Sequence, residues 1–255
     1  MQTMSGVEEF HSIGSGTRAR TGVLVVHGIT STPQGMGPVS AHLAELGYAV
    51  SAPVLPGHGT SVADMLPTRY ADWLARVEDR AEQLRLRCDR VVAVGMSLGG
   101  ALATDLAARR PDLVDALVLI NPGFGSEDPR LRLLPVLKHV MPTFPGLADE
   151  IRRPGPPREL AYERLPLKAF ASLVERWPGL REDFAKVTQP VLLFRSAYDR
   201  VVPPSAARAF LERVGSEDVT EVWLRDSGHV ATLDYDQAEL LRRTAAFVAR
   251  IGEEP

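Results

Sequence analysis

The sequence has only one cysteine, Cys88, among its 255 residues. A lone cysteine has no partner in its own chain, which excludes intrachain disulfides and favours a reducing compartment. Long apolar runs are missing as well. The best candidates, residues 23–26 and 116–120, have the length of buried strands and fall far short of the roughly 20 residues that span a bilayer. No transmembrane segment is therefore expected.

The chain also lacks a strong charge of either sign. Its 29 basic and 32 acidic residues are mixed along the sequence and give a net charge of -3. No single-sign field is available to hold a polyanion, so nucleic acid is not expected as a partner. The first ten residues, MQTMSGVEEF, lack a basic stretch followed by an apolar one. We therefore expect no signal peptide and a cytoplasmic location.

What the sequence does contain is an alternation of short β-branched runs with longer stretches of helical period. This alternation predicts an α/β fold with a mostly parallel central sheet and helices on both of its faces. With 45% hydrophobic residues, residues 1–255 are expected to form a single domain. Strands are predicted at residues 23–27, 48–52, 91–95, 116–121, 191–195 and 220–224, with an extra short strand near 7–11.

The segment 122–186 breaks this rhythm. It holds half of the chain's 20 prolines and no convincing strand, which indicates a small inserted cap. Leu167, Phe170, Val174 and Trp177 recur at helical spacing and predict a short amphipathic helix that ends at Pro178. The proline-rich stretch 153–158 is expected to be a surface loop.

The sharpest motif is Gly-Met-Ser-Leu-Gly at residues 95–99, between a predicted strand and a predicted helix. A strand that turns at once into a helix holds its serine in a strained backbone and exposes the hydroxyl, and glycines on both sides permit the close packing. Ser97 is therefore the candidate nucleophile. A serine hydroxyl needs an imidazole to accept its proton.

Of the six histidines, His229 has the most suitable position, because it follows the last predicted strand and precedes the final helix. His27 is expected to fix a neighbouring loop and His58 to be structural. The imidazole needs a carboxylate to hold its tautomer. Asp199, in a polar turn after the strand at 191–195, gives the chain order Ser, Asp, His that this architecture requires. Asp226 is the rival, because it lies closer to His229 in sequence.

A tetrahedral intermediate also needs N–H donors for its oxyanion. One donor commonly follows the nucleophile and one comes from the loop after the first long strand. The backbone N–H groups of Leu98 and Ile29 occupy these positions. Nothing in the sequence matches a zinc motif or a phosphate loop, so neither a metal nor another cofactor is expected.

Five segments resemble bacterial carboxylesterases and monoacylglycerol lipases of the α/β-hydrolase superfamily: HGIT at 27–30, PGHGTS at 56–61, GMSLGG at 95–100, SAYDRVVPP at 196–204 and DSGHVATLD at 226–234. The resemblance implies an α/β-hydrolase fold with Ser97, Asp199 and His229 as catalytic residues and Ile29 and Leu98 as oxyanion donors. It also implies a cap over an apolar acyl channel, and monoglycerides or short to medium acyl esters as small-molecule substrates.

Several alternatives stay open from the sequence. The same triad would serve a thioesterase, a lysophospholipase or an acyltransferase, and a non-catalytic binding protein could use the same fold. The residues that bind the substrate, the oligomeric state and any peripheral contact of the cap with a membrane are not determined by the sequence.

Overall fold

The computed structural model describes residues 4–146 and 148–253. Residues 1–3, at the start of the segment for which no signal peptide is expected, lie outside the described residues, as do Leu147 of the cap segment and residues 254–255. Within the described part of the chain, no helix is both long and apolar enough to cross a membrane.

A seven-stranded sheet forms the centre of the described part of the chain. Its strands are β1 (Phe10–Ser12), β2 (Thr21–Val26), β3 (Ala49–Ala52), β4 (Arg90–Met96), β5 (Ala116–Ile120), β8 (Val191–Ser196) and β9 (Val219–Leu224). They lie in the order β1-β3-β2-β4-β5-β8-β9, and within this sheet only β1 is antiparallel to its neighbour. The predicted α/β fold is confirmed, and the extra N-terminal strand exists a few residues later than predicted.

Helices cover both faces of the sheet, because side chains alternate between the two faces of each buried strand. In β2, Val23 and Val25 pack with the helices on one face, and Leu24 and Val26 belong to the core on the other. The helices of the first face are α1 (Gly37–Glu45) and α8 (Gln237–Glu253), and those of the second face are α3 (Tyr70–Arg85), α4 (Leu98–Arg109) and α7 (Pro204–Leu211). A short helix, α2 (Val62–Met65), precedes α3.

The cap segment, residues 122–186, lies between β5 and β8. It contains the helices α5 (Leu134–Val140) and α6 (Leu167–Asp183) and two short strands, β6 (Thr143–Pro145) and β7 (Arg164–Pro166), which pair antiparallel. The expectation of no strand in this segment was wrong. The end of the predicted helix at Pro178 was also wrong, because α6 continues through this proline to Asp183. The stretch 153–158 is largely exposed, as predicted.

The sheet brings the functional candidates to one edge. Ile29 follows β2, Ser97 follows β4, Asp199 follows β8 and His229 follows β9. Because these strands are parallel, their carboxyl ends lie at the same edge. The order in which strands are added to the sheet also reverses at this point, because β3 lies on one side of β2 and β4 lies on the other. Open α/β sheets bind ligands at such a reversal.

Candidate active site

Ser97 occupies a strained turn between β4 and α4. Its backbone has φ 54° and ψ -117°, a region that a side chain adopts only when the surroundings enforce it. Its N–H donates to the carbonyl of Ile120 at 3.1 Å, and its own carbonyl accepts from the N–H of Gly123 at 2.8 Å. These two bonds to β5 and the residues after it fix the turn from both sides.

The glycines of the motif permit close backbone contacts. A Cβ at Gly95 would lie 2.2 Å from the carbonyl oxygen of Gly99, and a Cβ at Gly99 would lie 2.1 Å from that of Val26. Any side chain at either position would push α4 away from the strands. The requirement for glycine inferred from the sequence therefore has a direct steric cause.

His229 lies in the loop between β9 and α8 and is almost completely buried. Its Nδ1 is 2.8 Å from Oδ2 of Asp199. An ionised carboxylate can only accept, so Nδ1 carries the proton and Nε2 is left as the basic nitrogen. The other oxygen of Asp199 accepts from the N–H groups of Val201 and Val202, at 2.8 and 2.9 Å. The carboxylate is thus fixed on both oxygens.

The rival carboxylate does not contact the imidazole. Asp226 is exposed, and its backbone N–H donates to Asp236 while its carbonyl accepts from Arg152. The structure therefore pairs His229 with Asp199, which is 30 residues distant in sequence, rather than with the nearer aspartate.

Ser97 and His229 line the same small cavity of about 30 Å³. This is room for about two water molecules. Among the described residues, the rest of the lining is Gly28, Ile29, Met96, Ala148, Glu159 and Val201.

The expected oxyanion donors lie beside this cavity. Leu98 is the first residue of α4, where the N–H has no acceptor within the helix and the helix dipole favours negative charge. Ile29 lines the cavity from the loop after β2. A Cβ on neighbouring Gly28 would be 3.4 Å from the Cβ of Ser97, so this loop passes directly over the serine.

The three buried histidines differ in their pKa values. Burial lowers the pKa of His229, but the negative charge and hydrogen bond of Asp199, together with Glu159 and Glu150, outweigh burial and leave the pKa above 6.5. Burial lowers the pKa of His27 to about 4 and that of His58 to about 3. Only His229 among these three can change its charge near neutral pH.

His27 and His58 have the structural positions expected for them. His27 lies between Gly28, whose carbonyl is 2.9 Å from Nδ1, and Leu55, whose N–H donates to Nε2 at 3.2 Å. His58 packs edge-on against His27 and Trp73, with ring centroids 5.0 and 5.6 Å apart. Both rings support the loops on the β2 side of the cavity.

Three polar residues near the site were not found from the sequence. Glu159 lines the cavity, and the carboxylate of Glu150 accepts from the backbone N–H of His229 at 2.6 Å. Asn121 donates to the carbonyl of His229 at 2.9 Å. Glu150 and Glu159 come from the cap segment, where no local motif signals their roles. The position of Asn121 at the end of a central strand is the one available signal.

Comparisons with known proteins agree with this fold. The family model described as serine aminopeptidase, S33, matches residues 17–236. A thermostable monoacylglycerol lipase of Bacillus sp. (strain H-257) is 34% identical, covering 97% of this chain and 96% of the relative. A carboxylesterase of Bacillus subtilis is 24% identical, covering 84% of this chain and 87% of the relative.

Solved structures show the same relationship. A structure from the metagenome-derived lipolytic enzymes LipS and LipT superposes with a TM-score of 0.92 and 34% identity, covering 98% of this chain and 100% of the other. A monoacylglycerol lipase of Paleococcus ferrophilus superposes with a TM-score of 0.79 at 20% identity, covering 98% of this chain and 100% of the other. This second likeness supports the fold alone. The chain belongs to the serine aminopeptidase S33 family of the α/β-hydrolase superfamily.

Proposed function

We propose that this protein hydrolyses carboxylic esters through an acyl-enzyme intermediate. Ser97 Oγ attacks the ester carbonyl while Nε2 of His229 takes its proton, and Asp199 stabilises the imidazolium that forms. The N–H groups of Leu98 and Ile29 stabilise the oxyanion. His229 then gives the proton to the leaving alcohol. A water molecule, deprotonated by the same histidine, releases the acid and restores Ser97.

The observation that carries this proposal is the cavity shared by Ser97 and His229, together with the 2.8 Å contact between His229 Nδ1 and Asp199. A binding protein would have no need for a serine held at a strained φ of 54° beside an imidazole whose tautomer is fixed. The family relationship gives independent support for hydrolase chemistry.

We propose monoacylglycerols and related acyl esters as the substrates. A 34% identical relative is a monoacylglycerol lipase. The cavity combines apolar lining from Ile29, Met96 and Val201 with Glu159. A glutamate carboxylate is an acceptor that suits the free hydroxyl groups of a glycerol leaving group. We further propose that residues 1–255 form one domain in which the cap segment covers this cavity.

Labelling with a fluorophosphonate tests the nucleophile directly, because the reagent bonds its phosphorus to an activated serine oxygen and loses fluoride. We expect one adduct, on Ser97, and none in Ser97→Ala. The variant should lose roughly 10⁴-fold or more in kcat on a nitrophenyl ester and on a monoacylglycerol, with little effect on folding.

An aminoacyl nitroanilide is the comparison substrate, since the family is described as an aminopeptidase family. Faster turnover of the anilide than of the esters would contradict the proposed substrate class. A Ser97→Ala variant with activity near that of the wild type would contradict the proposed mechanism.

We propose that the cap segment also contacts lipid surfaces. Leu133, Val136 and Val140 recur at helical spacing on or next to α5 and are 59%, 66% and 70% exposed. Residues 129–142 contain three basic residues and no acidic one. An apolar helix face with basic neighbours binds the interface of an anionic bilayer.

Vesicle co-sedimentation tests this contact. We expect the wild type to bind vesicles of phosphatidylcholine and phosphatidylglycerol. Val136→Asp with Val140→Asp should bind at least about tenfold more weakly, because two exposed valines that would enter the bilayer are replaced by charged side chains. Turnover of a soluble short-chain ester should be unchanged in this variant. Equal binding by both proteins would contradict a role for this helix face.

A further inference from the structure

One residue of the cap segment holds both peptide N–H groups that flank the Cα of His229. Oε2 of Glu150 accepts from the N–H of His229 at 2.6 Å, and the backbone carbonyl of Glu150 accepts from the N–H of Val230 at 3.2 Å. The backbone of the histidine is therefore attached to the cap, while its imidazole is attached to Asp199.

A second, fully buried carboxylate joins the same two loops. Oδ2 of Asp234 accepts from the N–H of Gly228 and from that of Arg152, both at 2.8 Å, and Oδ1 accepts from the N–H of Arg153 at 2.9 Å. The guanidinium of Arg152 lies 3.6 Å above the ring of Tyr198, the residue before Asp199. Residues 150–153 thus contact the loops of both catalytic partners.

Three carboxylates face His229 from two directions: Asp199 from the loop after β8, and Glu150 and Glu159 from the cap segment. The Nε of Arg200 lies 4.0 Å from the other carboxylate oxygen of Glu150, Oε1. Negative charge near an imidazole favours its protonated form. Removing the charge of Glu150 should therefore lower the pKa of His229.

We propose that Glu150 is a positioning residue for His229, fixing the backbone of the general base so that its imidazole stays aligned between Asp199 and Ser97. This inference rests on the proposed hydrolase function. On this inference, residues 150–153 help to hold the loops of His229 and Asp199 in place, although they belong to the cap segment by sequence position. Misplacement of a catalytic group by about 1 Å can cost a hundredfold in rate.

Glu150→Ala and Glu150→Gln separate the two effects of this carboxylate. Alanine removes the acceptor, and we expect kcat on a nitrophenyl ester to fall at least about tenfold with KM within about twofold of the wild type. Glutamine keeps an oxygen acceptor for the His229 N–H, so it should restore most of kcat. Glu163→Ala is the matched control, because Glu163 is an exposed glutamate of the same cap segment.

An NMR titration of the His229 imidazole gives a readout that needs no substrate. In a Ser97→Ala background, Glu150→Gln should lower the pKa of His229, because one of the three facing negative charges is lost, and Glu163→Ala should leave it unchanged. This measurement stands even if Glu150→Ala folds poorly.

Two results would overturn the positioning role: a kcat for Glu150→Ala within about twofold of the wild type, or an equal loss in Glu163→Ala. If Glu150→Ala does not fold, Glu150→Met takes its place, because methionine keeps the length of the side chain without a carboxylate acceptor, and a kcat within about twofold of the wild type in that variant overturns the role. Failure of the proposed function looks different. The wild type itself would then turn over no ester, while the titration would still report whether Glu150 acts on His229.

Discussion

His229 is subject to two requirements that oppose each other as the pH changes. Burial favours the neutral ring, but Asp199 and the two cap glutamates favour the imidazolium and raise its pKa above 6.5. As a general base the ring must be neutral, so catalysis needs a pH above this raised pKa. The ion pair with Asp199, by contrast, stabilises the fold only while the ring is protonated.

We therefore predict opposite pH trends for activity and for the stability contributed by this pair. The value of kcat/KM should rise with pH, with its half-maximum above 6.5. A group whose pKa is raised on folding contributes its full stability below the unfolded pKa and loses that contribution as the pH rises through the folded pKa. The free energy of unfolding should thus be lower at about pH 8 than at about pH 6, as far as this group determines it.

Asp199→Asn is the control for this assignment. It removes the charge that raises the pKa, so the remaining activity should have its half-maximum at lower pH, and kcat should fall by roughly 10³- to 10⁴-fold. Ester hydrolysis across about pH 5 to 9 and urea unfolding at both pH values measure the two trends. A flat rate profile in the wild type would exclude His229 as the general base.

Single residues could be predicted from the sequence where a local motif forces their geometry. Ser97 lies between two glycines that must pack against backbone, and His229 and Asp199 each follow a recognisable strand. Glu150 and Glu159 could not be predicted, because their roles depend on how the cap segment folds back over the sheet. No motif or spacing in the sequence indicates that the carboxylate of Glu150 accepts a hydrogen bond from the backbone N–H of His229.

At the scale of elements, the strands of the central sheet were predictable because their residues are buried on both faces and form short apolar runs. The pair β6 and β7 was missed, because each strand has only three residues and contains a proline. Such short strands carry no alternation of apolar and polar residues. Their pairing depends on the meeting of two distant parts of the cap segment.

The continuation of α6 through Pro178 shows how tertiary contacts override a local signal. A proline inside a helix removes one hydrogen bond and costs about 3 kcal/mol. Here Arg176 before the proline pairs with Asp183 after it, and Nε1 of Trp177 donates to the carbonyl of Gly123 at 2.7 Å. Leu180, beyond the proline, is fully buried. These contacts hold the last turns of α6 in place.

At the scale of the whole molecule, the cap segment is tied to the helix that begins after the nucleophile. The side chain of Asp105 in α4 has no exposed surface, and Arg176 of α6 donates to both of its oxygens, at 2.9 and 2.8 Å. Arg109 also donates to Asp105, at 2.6 Å. A bidentate pair of this kind fixes orientation as well as distance, so it holds α6 against α4.

Removing one partner of this buried pair should destabilise the fold far more than removing a surface pair. We expect Arg176→Met to lower the free energy of unfolding by about 3 kcal/mol, because the buried carboxylate of Asp105 loses its bidentate partner. Arg130→Met is the matched control. Arg130 pairs with Asp128 on the same cap segment, but its side chain is 66% exposed, so its loss should cost less than about 1 kcal/mol. Urea denaturation of both variants measures the difference, and similar midpoints would mean that the link between α4 and α6 contributes no more than a surface ion pair.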